Sequence, residues 1–315
     1  MIEVEGLVKA YGDVQALGGV SFTVAPGEVF GLVGLNGAGK STLAKILMGF
    51  LRPDEGVARL GGRSVAEDPV EARRQVGYLP EDSVLYEDLS AVEHLEIVAD
   101  LRGLGSEAVT QGERVLDFLE LDEARRRPVG TYSKGMRRKT ALACALVGDP
   151  PALIFDEPTS GLDPDGALRF NEILDELRRQ GRAIMVTSHV LPEIEQRAAR
   201  FGVLDGGRLV ALGTLAELRA EAGLEDARLE DLFLHFTGRR RRDARGLFGE
   251  TKSAEPAAAE APAGNPDPEP ASDPEPAADE VREGTDGETD KTEDAATKAP
   301  IQVESESSEA DHGAG

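Results

Sequence analysis

The residues best suited to chemistry form a glycine-rich loop, Gly34-Leu35-Asn36-Gly37-Ala38-Gly39-Lys40-Ser41-Thr42. Glycines let the backbone turn so that several N–H groups point at one oxyanion, and the start of a helix adds partial positive charge there. The spacing G-x-x-x-x-G-K-[ST] is typical of a phosphate-binding loop, in which Lys40 contacts the β- and γ-phosphates and the Ser41 hydroxyl binds Mg²⁺. The alternative is a turn that only caps a helix. A strand pattern before the loop and a helical pattern after it favour the phosphate site.

A second candidate is a pair of acids at the end of an apolar run, Ala152-Leu153-Ile154-Phe155-Asp156-Glu157. This pattern is typical of a buried strand whose carboxyl end carries ligand-binding groups, as in open α/β sheets. Asp156 is suited to a Mg²⁺ contact and Glu157 to polarising an attacking water. Many buried strands end in acids, so the pair gains its weight from occurring in the same α/β pattern as Lys40.

Hydrophobic periodicity predicts the elements that hold these residues. Residues 2–33 alternate polar and apolar positions around turns at Gly12-Asp13 and Pro26-Gly27, which predicts strands. The run after the loop repeats apolar residues at helical spacing. Residues 57–80 are predicted to form short strands around a helix near 69–75. Beyond residue 150, strands are predicted at 152–157, 183–188 and 202–212, and helices at 165–180, 190–199 and 229–238.

Residues 91–148 interrupt this alternation and are predicted to be mostly helical. An α/β pattern with an all-helical insert indicates a parallel-sheet nucleotide-binding core that carries a helical subdomain. An independent second domain is the alternative, which the return to the same α/β pattern disfavours.

Further motifs occur in a specific order along the chain, and together they resemble the ATPase subunits of ABC transporters over about residues 2–238. The resemblance implies a P-loop NTPase core with an N-terminal antiparallel β subdomain. The motifs that carry it, besides the phosphate loop and Asp156-Glu157, are Tyr132-Ser133-Lys134-Gly135-Met136, Ser160-Gly161-Leu162-Asp163 and Thr187-Ser188-His189.

The resemblance implies a role for each of several residues. It assigns adenine stacking to Tyr11, the signature loop to Ser133 and Gly135, the D-loop acid to Asp163, a switch histidine to His189, and a Mg²⁺ and water contact to Glu81. The signature reads YSKGM where LSGGQ is commonest, and Glu81 stands where most relatives have glutamine.

Each assignment has a simpler alternative that the residues leave open. Tyr11 beside a glycine can be an ordinary hairpin aromatic, and His189 a structural histidine. Ser133 can be only an N-cap of a helix whose basic run, KGMRRK, forms a solvated face. Glu81 can simply face solvent.

The segments around YLPEDSVLYEDLSAVEHL, YSKGMRRK and LEDLFLHFTG resemble the ATPases of ABC-2-type exporters, including drug and antibiotic-resistance exporters. This resemblance implies ATP and Mg²⁺ as cofactors and a separate transmembrane permease as partner. Because the chain has one copy of each motif, a second ATPase subunit, identical or homologous, must complete each site. The alternatives are a soluble ABC-type ATPase without a permease and a non-catalytic nucleotide-binding module.

The charge of the chain limits its other partners. There are 59 acidic and 35 basic residues, a net charge of −24, which disfavours a nucleic-acid partner. Residues 251–315 hold 18 acids and four bases and few bulky apolar groups, which predicts a disordered acidic tail. Residues 239–250 are predicted to form a basic linker, which contacts anionic lipid headgroups or the cytosolic loops of a membrane subunit, or is only a solvated hinge. The single cysteine, Cys144, and the lack of a signal-peptide pattern at the N-terminus predict a cytoplasmic protein. The family resemblance implies that it is peripheral on the inner face of the membrane.

Overall fold

The computed structural model of the chain describes residues 1–239, and the predicted acidic tail and most of the predicted basic linker lie outside the described residues. Two β-sheets and a set of helices make up this part of the chain. The strands are β1 (Ile2–Tyr11), β2 (Val14–Val24), β3 (Val29–Val33), β4 (Glu55–Leu60), β5 (Arg63–Ser64), β6 (Val76–Leu79), β7 (Ala152–Asp156), β8 (Ala183–Ser188), β9 (Arg200–Asp205) and β10 (Arg208–Gly213).

Most of the helices follow the predicted pattern. A short 3-10 turn at Val129–Thr131 precedes the fifth helix. The helices are α1 (Lys40–Leu47), α2 (Pro69–Arg74), α3 (Ala91–Arg102), α4 (Ser106–Phe118), α5 (Lys134–Leu146), α6 (Pro164–Arg179), α7 (Leu191–Glu195), α8 (Leu215–Ala222) and α9 (Leu229–Phe236).

The two sheets differ in the direction of their strands. The first sheet in residues 1–239 has the order β2-β1-β4-β5 and is antiparallel. The second has the order β10-β9-β3-β8-β7-β6, and all of its neighbouring strands are parallel except β9 and β10. The expected α/β fold, with an N-terminal antiparallel sheet and a parallel core, is confirmed.

The parallel sheet is covered on both faces, which explains its continuous apolar strands. Alternate residues of one strand point to opposite faces. Leu32 and Ile154 pack toward α1 and the antiparallel sheet, whereas Val33 and Phe155 pack toward the later helices, including α6. The central strands are therefore held rigidly from both sides, and so are the residues that follow their carboxyl ends.

Helices α3, α4 and α5 enclose a third apolar cluster of their own. Leu95, Leu116 and Val147 are fully buried in it. A capping box at Ser90 and Glu93 fixes the start of α3, and Gly103 in the left-handed conformation ends it. This cluster coincides with the predicted helical insert.

Two helices differ from the sequence-based expectation. The helix predicted at 190–199 ends at Glu195, because the backbone N–H of Ala199 already donates to the Val29 carbonyl at the entry to β9. Helix α8 was not predicted, although its capping box, Thr214 with Glu217, is visible in the sequence.

Candidate active site

The glycine-rich loop joins the carboxyl end of β3 to the first residue of α1. Gly39 caps α1 with a φ of 112°, and a Cβ there would lie 2.6 Å from the Ala16 carbonyl oxygen. A Cβ at Gly34 would lie 2.6 Å from the Leu204 carbonyl oxygen. Only glycine fits at both positions, and these two glycines let the loop lie against β2 and β9.

A cavity of about 510 Å³ opens in front of this loop. It is lined on one side by residues of the loop and on the other by Glu81, Asp156 and Glu157. Asp156 is the last residue of β7, Glu157 follows it, and Glu81 comes shortly after β6. All three lie at the same edge of the sheet as the end of β3, where open α/β sheets bind ligands. The structure therefore brings the phosphate loop and the predicted acids to one site.

The Lys40 side chain is buried and folds back over the loop. Its Nζ donates to the Gly34 carbonyl oxygen at 2.6 Å and to the Leu35 carbonyl oxygen at 3.4 Å. It also lies 4.0 Å from Glu157 Oε1. The ammonium is thus held over the loop by neutral carbonyls, and a phosphate oxygen can replace those partners with a stronger, charge-assisted contact.

The Glu157 carboxylate is buried and oriented by its neighbours. Its Oε2 accepts from Nδ1 of the His189 ring at 2.7 Å and from the His189 backbone N–H at 3.2 Å. Burial raises the pKa of the Glu157 carboxyl above its ordinary value, while the His189 contacts and the Lys40 charge oppose that shift. A carboxylate with a raised pKa, fixed at a cavity wall, is suited to act as a general base.

The Asp156 carboxylate is fixed by a different partner. Its Oδ1 accepts from the Thr187 hydroxyl, and the Glu157 N–H donates to the Thr187 carbonyl oxygen at 3.1 Å. Asp156 and Thr187 are direct register partners on β7 and β8. One Asp156 oxygen is therefore occupied by the hydroxyl, and the other is left for a cation or water.

Other predicted site residues lie away from the cavity lining. Ser133 caps α5 and accepts from the Met136 N–H at 3.2 Å, and Asp163 caps α6 and accepts from the Gly166 N–H at 2.7 Å. Both are exposed. A Cβ on Gly135 would lie 3.0 Å from the Gly161 carbonyl oxygen, so the signature and D-loop segments adjoin each other.

The sequence did not predict which residues near the turn between β1 and β2 line the cavity. Tyr11 is half exposed on β1 and does not line the cavity, whereas its register partner Val14 does. Gln15, Ala16 and Gly206 also line it and carry no recognisable motif in the sequence.

The basic run after Ser133 is not the solvated face that was one alternative. Arg138 and Lys139 are buried. The Arg138 guanidinium donates to the main-chain carbonyl oxygens of Glu81 and Glu157. Local sequence gives no sign of this, because these acceptors come from two distant segments.

Comparison with known proteins identifies the family to which this chain belongs. The sequence profile described as ABC transporter matches residues 17–160. The ABC-type transporter ATP-binding protein EcsA of Bacillus subtilis is 37% identical over 238 residues, 75% of this chain and 96% of that protein. The chain belongs to the ABC transporter ATP-binding proteins.

Other members of this ABC transporter family agree in sequence and in fold. The daunorubicin resistance ATP-binding protein DrrA3 of Streptomyces coeruleorubidus is 39% identical, over 70% of this chain and 71% of that protein. A solved ATP-binding subunit of an ABC transporter superimposes with a TM-score of 0.73 at 36% identity, covering 75% of this chain and 99% of the other.

As an ABC protein, the chain is an ATP-binding, ATP-hydrolysing subunit that energises a separate membrane permease. Within residues 1–239, no helix is long and apolar enough to span a bilayer.

Proposed function

We propose that this chain drives export through its permease, and that each ATP site is built from two ATPase subunits at the inner face of the membrane. The lining of the cavity supports the shared site. Residues of the phosphate loop line the cavity together with Asp156 and Glu157. Ser133, Gly135 and Asp163 do not line it. Exposed N-terminal ends of α5 and α6 are suited to contact a phosphate held by another subunit.

In this mechanism the loop N–H groups and Lys40 bind the ATP phosphates, and Lys40 exchanges its carbonyl partners for phosphate oxygens. Glu157 orients the attacking water and accepts its proton, helped by the raised pKa of its carboxyl. His189 keeps the Glu157 carboxylate pointed into the cavity through the 2.7 Å contact at Nδ1.

The donor set also fits Mg²⁺. Ser41, Glu81 and Asp156 line the cavity with hydroxyl and carboxylate oxygens, the ligands that hard cations prefer. No group of three His, Cys, Asp or Glu side chains in residues 1–239 is arranged to hold a metal alone, in keeping with an ion that takes phosphate and water oxygens as well. When bound, Mg²⁺ neutralises charge on the β- and γ-phosphates.

The surface best suited to the permease is a hollow between α2, β6 and α3. It has a volume of about 450 Å³, and its lining combines apolar side chains with Arg73, Arg74 and Arg102. Leu101 and Val70 are 77% and 53% exposed in this one hollow, so a partner seated there buries two large apolar side chains together. Leu101→Glu is expected to reduce the permease retained with the ATPase from solubilised membranes, and Leu168→Glu, on the exposed face of α6, is the control.

The direction of transport rests on the relatives. DrrA3 and the linearmycin resistance protein LnrL of Bacillus subtilis, which is 35% identical over 71% of this chain, are both resistance proteins. Resistance is most directly achieved by outward transport, so we assign export. A solute-binding lipoprotein encoded beside this chain would instead indicate import.

A complementation experiment tests the shared site. Lys40→Ala disables the phosphate loop and Ser133→Arg blocks the signature loop, so each variant alone is expected to be inactive. In an equal mixture, random pairing leaves about a quarter of all sites with an intact loop from each chain, and ATPase activity should reappear. If each site were complete within one chain, mixing would restore nothing.

A further inference from the structure

Arg138 joins two segments of the active site that are far apart in sequence. It lies on α5 with 3% of its surface exposed. One segment is 80–83, which contains Glu81, and the other is 156–158, which contains Glu157. Its Nη1 donates to the Pro80 carbonyl, to the Glu81 carbonyl at 3.0 Å and to Ser83 Oγ at 3.2 Å; Nη2 donates to the Asp156 and Glu157 carbonyls at 2.6 and 2.7 Å; and Nε donates to the Pro158 carbonyl at 3.2 Å.

The partners of Arg138 show that it holds backbone rather than neutralises an acid. Five of the six acceptors are main-chain carbonyls, and the sixth is a hydroxyl. Burial lowers the pKa of its guanidinium, and the nearby carboxylates of Asp156 and Glu81 oppose that shift. Its planar fork has five N–H donors in fixed directions, and the two hydrogens on Nη1 are shared among three acceptors. The fork therefore ties the two segments together at defined angles.

The backbone held at one end is strained. Glu157 has a φ of 49°, in the left-handed region that residues other than glycine rarely adopt. The two carbonyls that Nη2 binds flank the Glu157 Cα, so the guanidinium stabilises the conformation that turns this side chain into the cavity. At the other end, Nη1 holds the carbonyl of Glu81, which lines the same cavity.

We propose that Arg138 is a positioning residue for ATP hydrolysis: it fixes the orientation of Glu157 relative to the Glu81 segment, so that turnover depends on it while ATP affinity does not. The inference rests on the proposed role of Glu157 as general base. Nucleotide affinity is independent of Arg138 because the phosphate loop is held by its own contacts with β2 and β9, and Arg138 donates to no residue of that loop.

The test compares Arg138→Met and Arg138→Lys with Arg137→Met. Arg137 is the matched control because it is the adjacent residue of α5 and also donates to main-chain carbonyls, those of Val129 and Gly130, which lie outside the cavity. For each variant, kcat and KM for ATP are measured by phosphate release, together with the affinity for a fluorescent ATP analogue and the melting temperature.

Arg138→Met is expected to lower kcat about 10–100-fold, the effect of misplacing a catalytic group by a fraction of an ångström to an ångström, with KM changed less than about threefold. Arg138→Lys should recover part of kcat, because one ammonium group can bind one segment but cannot bridge both. Arg137→Met should leave kcat unchanged.

If Arg138→Met does not fold, the kcat of Arg138→Lys tests the proposal in its place. Wild-type kcat in a folded Arg138→Lys protein would overturn the proposal. So would losses of kcat and ATP affinity in equal proportion, which indicate a merely structural role. Glu157→Gln is measured in parallel: wild-type turnover in that variant would refute the proposed function itself, whereas an inactive Glu157→Gln beside fully active Arg138 variants would refute only the positioning role.

Discussion

Replacing Glu157 by glutamine is expected to abolish turnover while ATP still binds. The amide preserves the shape of the side chain, and its oxygen can still accept from His189 Nδ1, which lies 2.7 Å from Glu157 Oε2. What is lost is the group that takes the proton of the attacking water. Lys40 and the phosphate loop are unaltered, so ATP affinity should stay within about threefold of wild type.

The size of the effect follows from the role of each contact. Loss of a positioned general base costs about 10²–10⁴ in rate, equivalent to roughly 3–5 kcal/mol of barrier. His189→Ala removes one charge-assisted hydrogen bond to the same carboxylate, worth about 1.5–3 kcal/mol, and should slow turnover about 10–100-fold. Glu157→Gln should therefore be the more damaging of the two changes.

Single-turnover phosphate release, with protein in excess of ATP, measures the chemical step. ATP binding is followed with a fluorescent analogue, because the chain has no tryptophan. Glu172→Gln, an exposed glutamate on α6, is the control for the loss of one negative charge. Turnover within threefold of wild type in Glu157→Gln would refute the assignment of Glu157 as the base.

Four further outcomes are expected. Lys40→Ala should weaken ATP binding about 10–100-fold through loss of a charge-assisted phosphate contact, and an unchanged affinity in a nucleotide titration would contradict this. Glu81→Gln should raise the Mg²⁺ concentration for half-maximal ATPase activity, because a neutral amide is a weaker ligand for a hard cation than a carboxylate; superimposable magnesium curves would leave Glu81 a surface residue. Tyr132→Phe should lower the free energy of unfolding by about 1–2 kcal/mol, because the buried Tyr132 hydroxyl donates to the Ala124 carbonyl at 2.7 Å. Equal midpoints of urea unfolding for wild type and variant would show that this bond does not contribute to stability. Because burial raises the pKa of the Glu157 carboxyl, the ATPase rate should fall with decreasing pH at a midpoint above that of a free glutamate, where the base becomes protonated; a midpoint at or below the free value would contradict the burial argument.

The features that depend on local pattern can be predicted from the amino-acid sequence. The phosphate loop can be predicted because its glycines and Lys40 lie close together in the chain at a characteristic spacing. It lies between β3 and α1 as expected. Strands such as β7 were predicted because an apolar run ending in acids is typical of a strand buried on both faces. The helical insert was visible because helical periodicity persists over many residues.

Which groups surround the Glu157 carboxylate could not be predicted from the sequence, because they come from distant segments of the chain. Arg138 looks like part of a solvated basic run, yet its partner Pro80 lies 58 residues earlier. The left-handed backbone of Glu157 and its contact with His189 depend on β7 and β8 being neighbours in the sheet. A pattern of neighbouring residues reports how one element is buried, whereas the packing of distant elements sets the direction of a side chain and the partners it meets.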